Sequence, residues 1–396
     1  MTKPLFSVIV LCYRHFEYLY DAIDSVLNQS YPNIELIVSD DGSDNFPEEA
    51  VNEYIACNKS SNIKSVKIHR EESNVGTVKH LNHAVKIISG EYVIALAGDD
   101  VLKDASVLEQ YREGFEKAPL DCYIEMAQTG MYDDKLQSLE GYYLKLPVQE
   151  AIEQTEKDSS MLLDMLLEKG ACLPSTSTCF KKEFFQLFGD FDEGYSLVED
   201  FPMHFRLAKE HWIIHYENFV AIKHRNGGIS HGQKNTLSRS AMLYYSDEKK
   251  MIQSIILKNN AGTDQRAKEA ARQWKRQLLW LDFALAKSKK DYLTLITLCL
   301  KNPGYILMAL LGKAYPFAYK YHSKLVYVCC GLWLTIPSLA QMLNIAVSCD
   351  VTLTKSVLLL LTSVLFLVWI YTFVVYWLLR IVGIIQRFPN ETLAIG

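Results

Sequence analysis

Three acidic clusters in this sequence fall where carboxylates can do chemistry. Gly98-Asp99-Asp100 follows the apolar run YVIALA, residues Tyr92–Ala97. A carboxylate at a buried strand end, beside a glycine that lets backbone come close, suits a hard cation such as Mn²⁺ or Mg²⁺ bridging a diphosphate. Such ions take one or two carboxylates and complete their shell with phosphate oxygens and water. Asp40-Asp41-Gly42-Ser43 closes a second apolar run, Ile34–Ser39. A carboxylate there can accept a hydrogen bond from a base N–H or a ribose hydroxyl. Tyr13 ends a first run from Leu5 and offers a ring face for a base to stack on. Glu199-Asp200 opens the helical stretch EDFPMHFRL. Acidic residues in that position act either as caps at the helix dipole or as a general base for a hydroxyl proton.

The elements that must hold these residues alternate. Leu5–Tyr13 reads as a buried strand, Phe16–Asn28 as a helix, Ile34–Ser39 as a strand, then a helix from Pro47, a strand at Ile63–His69, a helix at Thr77–Ile88 and a strand at Tyr92–Ala97. Repeated βα units predict an α/β fold with a mainly parallel sheet and helices on both faces, and such sheets bind ligands at the carboxyl ends of their strands. Three polar clusters at predicted strand ends therefore converge on one edge. From residue 120 to 240 the pattern is less regular. Met161–Leu167, Lys182–Phe188 and Glu199–Lys209 look helical, and Cys172–Phe180 extended. Residues 240–290 read as charged helix with an apolar face at Trp274, Leu278, Leu279 and Leu281.

The 396 residues are 22% charged with a net charge of -5, which excludes nucleic acid as a bulk partner. The nine cysteines are scattered without a CxxC, a pattern of free thiols in a reducing compartment rather than of a disulfide framework or a structural zinc site. The N-terminal apolar run is short, rich in β-branched residues and stops at Arg14-His15, unlike a signal peptide. Histidines 204, 211, 215, 224 and 231 make no HExxH-like arrangement, and only His224 and His231 keep interest.

Past Lys324 the chain turns apolar. Leu325–Cys349 and Ser356–Leu379 are uncharged and each exceeds the roughly 20 residues that span a bilayer core. Lys313, Lys320, Lys324, Arg380 and Arg387 flank their outer ends, while Asp350 and Lys355 lie between them. The positive-inside rule then predicts a two-helix transmembrane hairpin over 325–385 with both ends in the cytosol. The mixed stretch 292–323 suits short helices at the membrane surface.

Taken in order, three stretches resemble glycosyltransferase family 2, with its GT-A nucleotide-sugar-binding fold. They are SVIVLCYRHFEYLYDAIDSVLNQSYPNIELIVSDDGSD, NVGTVKHLNHAVKIISGEYVIALAGDD and STCFKKEFFQLFGDFDEGYSLVEDFPMHFRLAK. The resemblance covers about residues 4–230 and implies a catalytic domain over 1–240, a helical linker with interfacial helices over 241–324, the hairpin, and a short cytosolic tail from 386. It implies an inverting, metal-dependent glycosyltransferase of polysaccharide biosynthesis at the cell inner membrane, with its catalytic domain cytosolic. The enzyme would move a hexosyl or N-acetylhexosaminyl unit from a nucleotide-diphosphate sugar, a UDP-sugar first, to a hydroxyl of a lipid-linked saccharide. By the same resemblance Asp99 holds the divalent cation and Asp200 is the base. Tyr13, Asp40, Asp41, Lys79, Asn82 and Asp100 serve the donor, and Glu199 and Arg206 the acceptor side. The sequence departs from the family at Ala97, where many members carry the first aspartate of Asp-x-Asp, at Arg14 after Tyr13, and at Leu81, where an arginine is usual. A polyprenyl-phosphate glycosyltransferase and a non-catalytic nucleotide-sugar-binding subunit of an assembly complex are the alternatives.

Overall fold

A computed structural model describes residues 3–225, 238–260, 262 and 264–302. The chain divides into two units, Met1–Lys290 and Asp291–Gly396. In the first, β1 (Phe6–Cys12), β2 (Ile34–Asp40), β3 (Ile63–Arg70) and β4 (Tyr92–Ala97) alternate with α1 (Leu19–Leu27), α2 (Glu48–Asn58) and α3 (Thr77–Lys86). These strands pair in parallel in the order β3-β2-β1-β4. The side-chain alternation of a strand divides the core in two. In β1, Ile9 faces the layer that includes Val78, Leu81 and Val85 of α3, whereas Val8 and Val10 face Leu19, Ile23 and Val26 of α1. With both faces covered, β1 and β2 are mostly apolar, and their polar members Ser7, Glu35, Ser39 and Asp40 are buried as well.

The rest of the sheet departs from the parallel expectation. β5 (Val101–Leu102), α4 (Val107–Lys117), β6 (Ile124–Tyr132), β7 (Leu139–Tyr142), α5 (Leu146–Glu153), α6 (Ser160–Lys169), β8 (Thr178–Lys181), α7 (Lys182–Leu187), α8 (Asp200–Lys209) and β9 (Ile214–Arg225) follow. β8 runs antiparallel to both β4 and β6, β9 parallel to β6, and β5 antiparallel to β9, giving the order β3-β2-β1-β4-β8-β6-β9-β5. The sheet is mixed, because β8 enters between β4 and β6 as a short return strand. It is also curled. β5 follows β4 by four residues of chain, a reach of at most about 14 Å, yet stands four places away, about 19 Å if the sheet were flat. The far edge must bend back toward the end of β4.

α9 (Arg239–Met251), a π-helical turn at Ile252–Ile256, α10 (Leu257–Asn259) and α11 (Gln265–Ser288) complete the first unit. It extends past residue 240, where composition places the end of the catalytic domain, because Met251, Ile256, Trp274 and Leu281 join the core against α6 and α8. In the second unit only α12 (Tyr292–Lys301) is described. It exposes Leu293, Ile296 and Leu300 at helical spacing. No helix among the described residues is long and apolar enough to cross a membrane. The two apolar stretches 325–349 and 356–379, like the rest of 303–396 and His231, lie outside the described residues.

One core residue has a thermodynamic consequence. Glu125, inside β6, is fully buried with both carboxylate oxygens unpartnered, and Gly114 of α4 leaves room for it. Burial raises its pKa well above the usual carboxylate value. The folded chain therefore keeps a proton that the unfolded chain releases, so this residue costs stability increasingly as pH rises above about 4.5. Glu125→Gln should stabilise the protein, with a gain that grows by up to about 1.4 kcal/mol per pH unit over that window. Urea midpoints of both forms between pH 5 and 8 check this, and a pH-independent difference would refute it.

Candidate active site

β1, β2 and β4 end together. In register, Cys12 lies opposite Asp40 and Leu11 opposite Ala97. With neighbouring strands about 4.8 Å apart, Tyr13, the Asp40–Ser43 turn and Gly98-Asp99 stand in a row across about 10 Å. Asp41 N–H donates to Cys12 O (3.0 Å) and Gly98 N–H to Leu11 O (2.7 Å). Gly98 fits closely there, since a Cβ would meet Leu11 O at 3.0 Å and Cys12 Cβ at 3.2 Å and press both back by a few tenths of an ångström. The close approach expected of this glycine is made to β1.

The first acidic cluster is tightly engaged with its own chain. Asp40, fully buried, accepts from Ser43 N–H (2.8 Å) and Ser43 Oγ (2.5 Å), with the Arg70 guanidinium 3.7 Å away. Ser43 Oγ in turn accepts from Arg14 N–H (2.8 Å), and the Arg14 guanidinium sits 4.9 Å from the Tyr13 ring centre. Asp41 accepts from Val75 N–H (2.8 Å), Asn74 Nδ2 (2.7 Å) and Gly76 N–H (3.1 Å). Burial nonetheless leaves its carboxyl raised from the usual value.

The two aspartates after β4 have separate fates. Asp100, fully buried, accepts from Arg225 N–H (3.0 Å) and lies 2.9 Å from His224 Nδ1, at the end of β9. Burial works to lower the His224 pKa, but the hydrogen bond and charge of Asp100, with Asp99, leave it raised. Arg225 reaches Asp99 O (2.7 Å), Asp134 O (2.6 Å) and the Asp21 carboxylate (2.5 Å), and its guanidinium lies 3.9 Å from the centre of the Tyr18 ring. The Asp99 carboxylate makes no side-chain hydrogen bond among the described residues, and burial together with the Asp100 charge raises its pKa. Asp99 is thus the carboxylate of the pair left to meet a cation. It belongs to no group of three protein ligands among the described residues. An ion held there would draw most of its oxygens from a diphosphate and water, a donor set that suits Mg²⁺ or Mn²⁺.

Glu199 and Asp200 follow a loop that is fastened from outside. Asn82 Nδ2 donates to Phe191 O (3.0 Å) and Glu193 Oε1 (3.1 Å), and Asn82 Oδ1 accepts from Phe191 N–H (2.9 Å). Val78 N–H donates to Ser196 O (3.3 Å), and Asp247 of α9 accepts from Ser196 and Leu197 N–H, each at 2.7 Å. Gly76, at φ 90°, lies against Ser196 O, 3.0 Å from where a Cβ would be. One short piece of chain, 74–78, therefore binds both Asp41 and the loop carrying the acid pair.

Capping does not explain that pair. Glu199 occupies the N-cap position of α8 but makes no capping hydrogen bond with its side chain, while Asp200 Oδ1 accepts from the adjacent Phe201 N–H (2.6 Å). Burial, then the charge of Asp200, pushes Glu199 up to about 7 against a hydrogen bond from Ser175. Burial raises Asp200 as well. The Asp200 charge also bears on Tyr143, Cys172 and Tyr244 nearby. Two carboxyls with raised pKa values in one partly buried place are the arrangement a general base near neutrality needs.

The remaining expected residues are less central in this geometry. Lys79 is exposed on α3. Arg206 donates to Glu210 Oε1 (2.8 Å) at the end of its own helix and to Phe188 O (2.8 Å) at the end of α7, and stacks 3.9 Å over the Phe188 ring. Arg225, Asp247 and Ser175 were not singled out by sequence, and nothing in their spacing marks them.

Residues 7–158 match the family model described as Glycosyl transferase family 2. An uncharacterized glycosyltransferase of Rickettsia typhi is 26% identical over 73% of this chain and 86% of its own length. Glycosyltransferase GlyG of Streptococcus pneumoniae serotype 4 is 25% identical over 57% of this chain and 73% of its own length. Among solved structures, S. aureus TarS 1–349 in complex with UDP-GlcNAc aligns with 71% of this chain and 74% of that one, at 16% identity and a TM-score of 0.46. Residues 7–158 are thus similar to that family, and the first unit has an α/β fold with a curled mixed sheet.

Proposed function

We propose that this chain is an inverting, metal-dependent glycosyltransferase of polysaccharide biosynthesis. It takes a hexosyl or N-acetylhexosaminyl unit from a nucleotide-diphosphate sugar, most simply a UDP-sugar, to a hydroxyl of a lipid-linked saccharide. The observation that carries the reading is the raised Glu199–Asp200 pair, held through residues 74–78 to the strand edge where Asp99 stands free. The donor lies along that edge, its base toward Tyr13 and the Asp40–Asp41 turn and its diphosphate toward Asp99, with Lys79 at the phosphate side. Asp99 would hold a divalent cation, which would supply positive charge to stabilise the departing diphosphate. Asp200 takes the proton from the acceptor hydroxyl, which attacks the anomeric carbon from the face opposite the leaving group and inverts its configuration. Glu199 shapes the acceptor side. Arg206 acts there indirectly, by holding the end of α7 against α8.

The acceptor's lipid linkage and the place at the inner membrane rest on the C-terminal sequence and on the exposed apolar residues of α12, a helix face suited to a bilayer surface. The experiment is a screen of UDP-sugars for transfer or hydrolysis by the full chain in membranes, with and without Mn²⁺. A Mn²⁺-dependent release of UDP from one donor is expected, along with retention of the protein in the membrane through a carbonate wash. No donor turnover under any condition, in a chain that still binds a nucleotide-sugar, would instead favour a non-catalytic subunit. Clean release by carbonate would remove the membrane part of the reading.

A further inference from the structure

Away from the acid pair, β3 and α3 bring together His69, Glu71 and His83. Glu71 Oε1 lies 2.7 Å from His83 Nδ1 and 3.1 Å from His69 Nε2, and one ligating atom from each residue lies within 4.8 Å of the others. A tetrahedral ion with bonds of about 2.0–2.1 Å sets its ligand atoms about 3.3–3.4 Å apart. One edge, at 3.1 Å, already sits within about 0.3 Å of that spacing, and a second, at 2.7 Å, must open by about 0.6–0.7 Å. No lysine or arginine among the described residues pairs with Glu71. Its neighbour Arg70 turns to Ser43 O (2.6 Å) and Asp40 instead. The three side chains are 28%, 12% and 32% exposed, open enough for an ion and water to enter. His80 behind them is engaged with Ser39 Oγ at 2.7 Å and stays neutral, because burial lowers its pKa to about 4.

We propose that His69, Glu71 and His83 form a binding site for a borderline transition-metal dication of the zinc class, with the fourth position left to water. Two imidazoles and one carboxylate match that class, whereas Asp99, a lone carboxylate that leaves the rest of the shell to diphosphate and water oxygens, matches a hard cation. The two sites therefore take different ions. The zinc-class ion fastens the connection between β3 and α3 at its start, where Glu71 N–H donates to Asp40 O (2.9 Å). Asp41 already fastens the end of that connection at Asn74–Gly76.

The test is calorimetric titration of Zn²⁺ alone into the full chain in excess Mg²⁺. It is repeated on the His69→Ala/His83→Ala double variant, on Glu71→Gln and on Asp99→Ala. One binding event should weaken by about 100-fold or vanish in the double variant, weaken in Glu71→Gln, and persist in Asp99→Ala. Metal-free melting curves show whether the double variant is folded. If it is not, Glu71→Gln, which keeps the side chain's shape, decides. Zn²⁺ isotherms that do not change in the folded histidine or glutamine variants overturn the site, as does loss of the event in Asp99→Ala alone.

Discussion

Asp200→Asn lowers turnover by about 10²–10⁴ and leaves donor affinity where it was. The substitution is nearly isosteric and keeps an oxygen to accept from Phe201 N–H, so the start of α8 is preserved. In the proposed function, what is lost is the group that receives the acceptor proton. Glu199→Gln should cost less, since Glu199 is proposed there to shape the acceptor side and not to take the proton. Burial raises both carboxyls, so turnover of the parent enzyme should fall with acid at a higher pH than an ordinary aspartate would give. Asp200 must be unprotonated to act. A larger loss in Glu199→Gln than in Asp200→Asn would exchange the two roles. An acid limb no higher than that of an ordinary aspartate would show that the raised Asp200 is not the base.

Asp99→Ala abolishes transfer, and exhaustive EDTA treatment does the same to the unsubstituted protein. The frame offers the ion one carboxylate, because Ala97 stands where the family often has an aspartate and Asp100 is fully occupied by His224 and Arg225. Removing Asp99 therefore removes the protein's charge at the diphosphate without touching the anchorage of β9. Asp100→Ala should be recognisably different. It leaves the Arg225 N–H without its partner inside the fold and should lower stability by about 1–3 kcal/mol as well as activity. Thermal melts separate the two variants, and activity that survives EDTA would falsify the role given to Asp99.

The first hundred residues were legible because their physics is local. Ile34–Asp40 is buried on both faces and carries Ile34, Leu36, Ile37 and Val38 in its core, and α1 repeats its core residues at helical spacing. The second half of the sheet was not. β6 carries Glu125, Gln128 and Thr129 as buried polar residues, which breaks the apolar run that marks a central strand. Twelve-residue β9 buries few of its side chains fully, so its alternation is faint. β8, expected to extend from Cys172, is a strand only over Thr178–Lys181, and its antiparallel entry is a matter of tertiary pairing. Within the site, the carboxylates could be found from their place at strand ends, but what each one touches could not. Asn82 was expected at the donor, and the structure shows it gripping the loop at Phe191 and Glu193, more than a hundred positions along the chain. His69, Glu71 and His83 escaped notice because three ligands on two elements leave no contiguous spacing to read.

The outside fastening of residues 191–197 has a bearing on engineering. That loop leads into the acid pair and looks like a cassette that could be exchanged to alter acceptor choice. Its grip, however, comes from Asn82, the Val78 amide and Asp247, on two helices distant in sequence. A graft whose backbone left the path of Phe191, Ser196 and Leu197 would leave a buried amide and a buried carboxylate without partners, and the acid pair would lose its footing before any new acceptor was tested. The transplantable unit is the loop together with the faces of α3 and α9 that hold it.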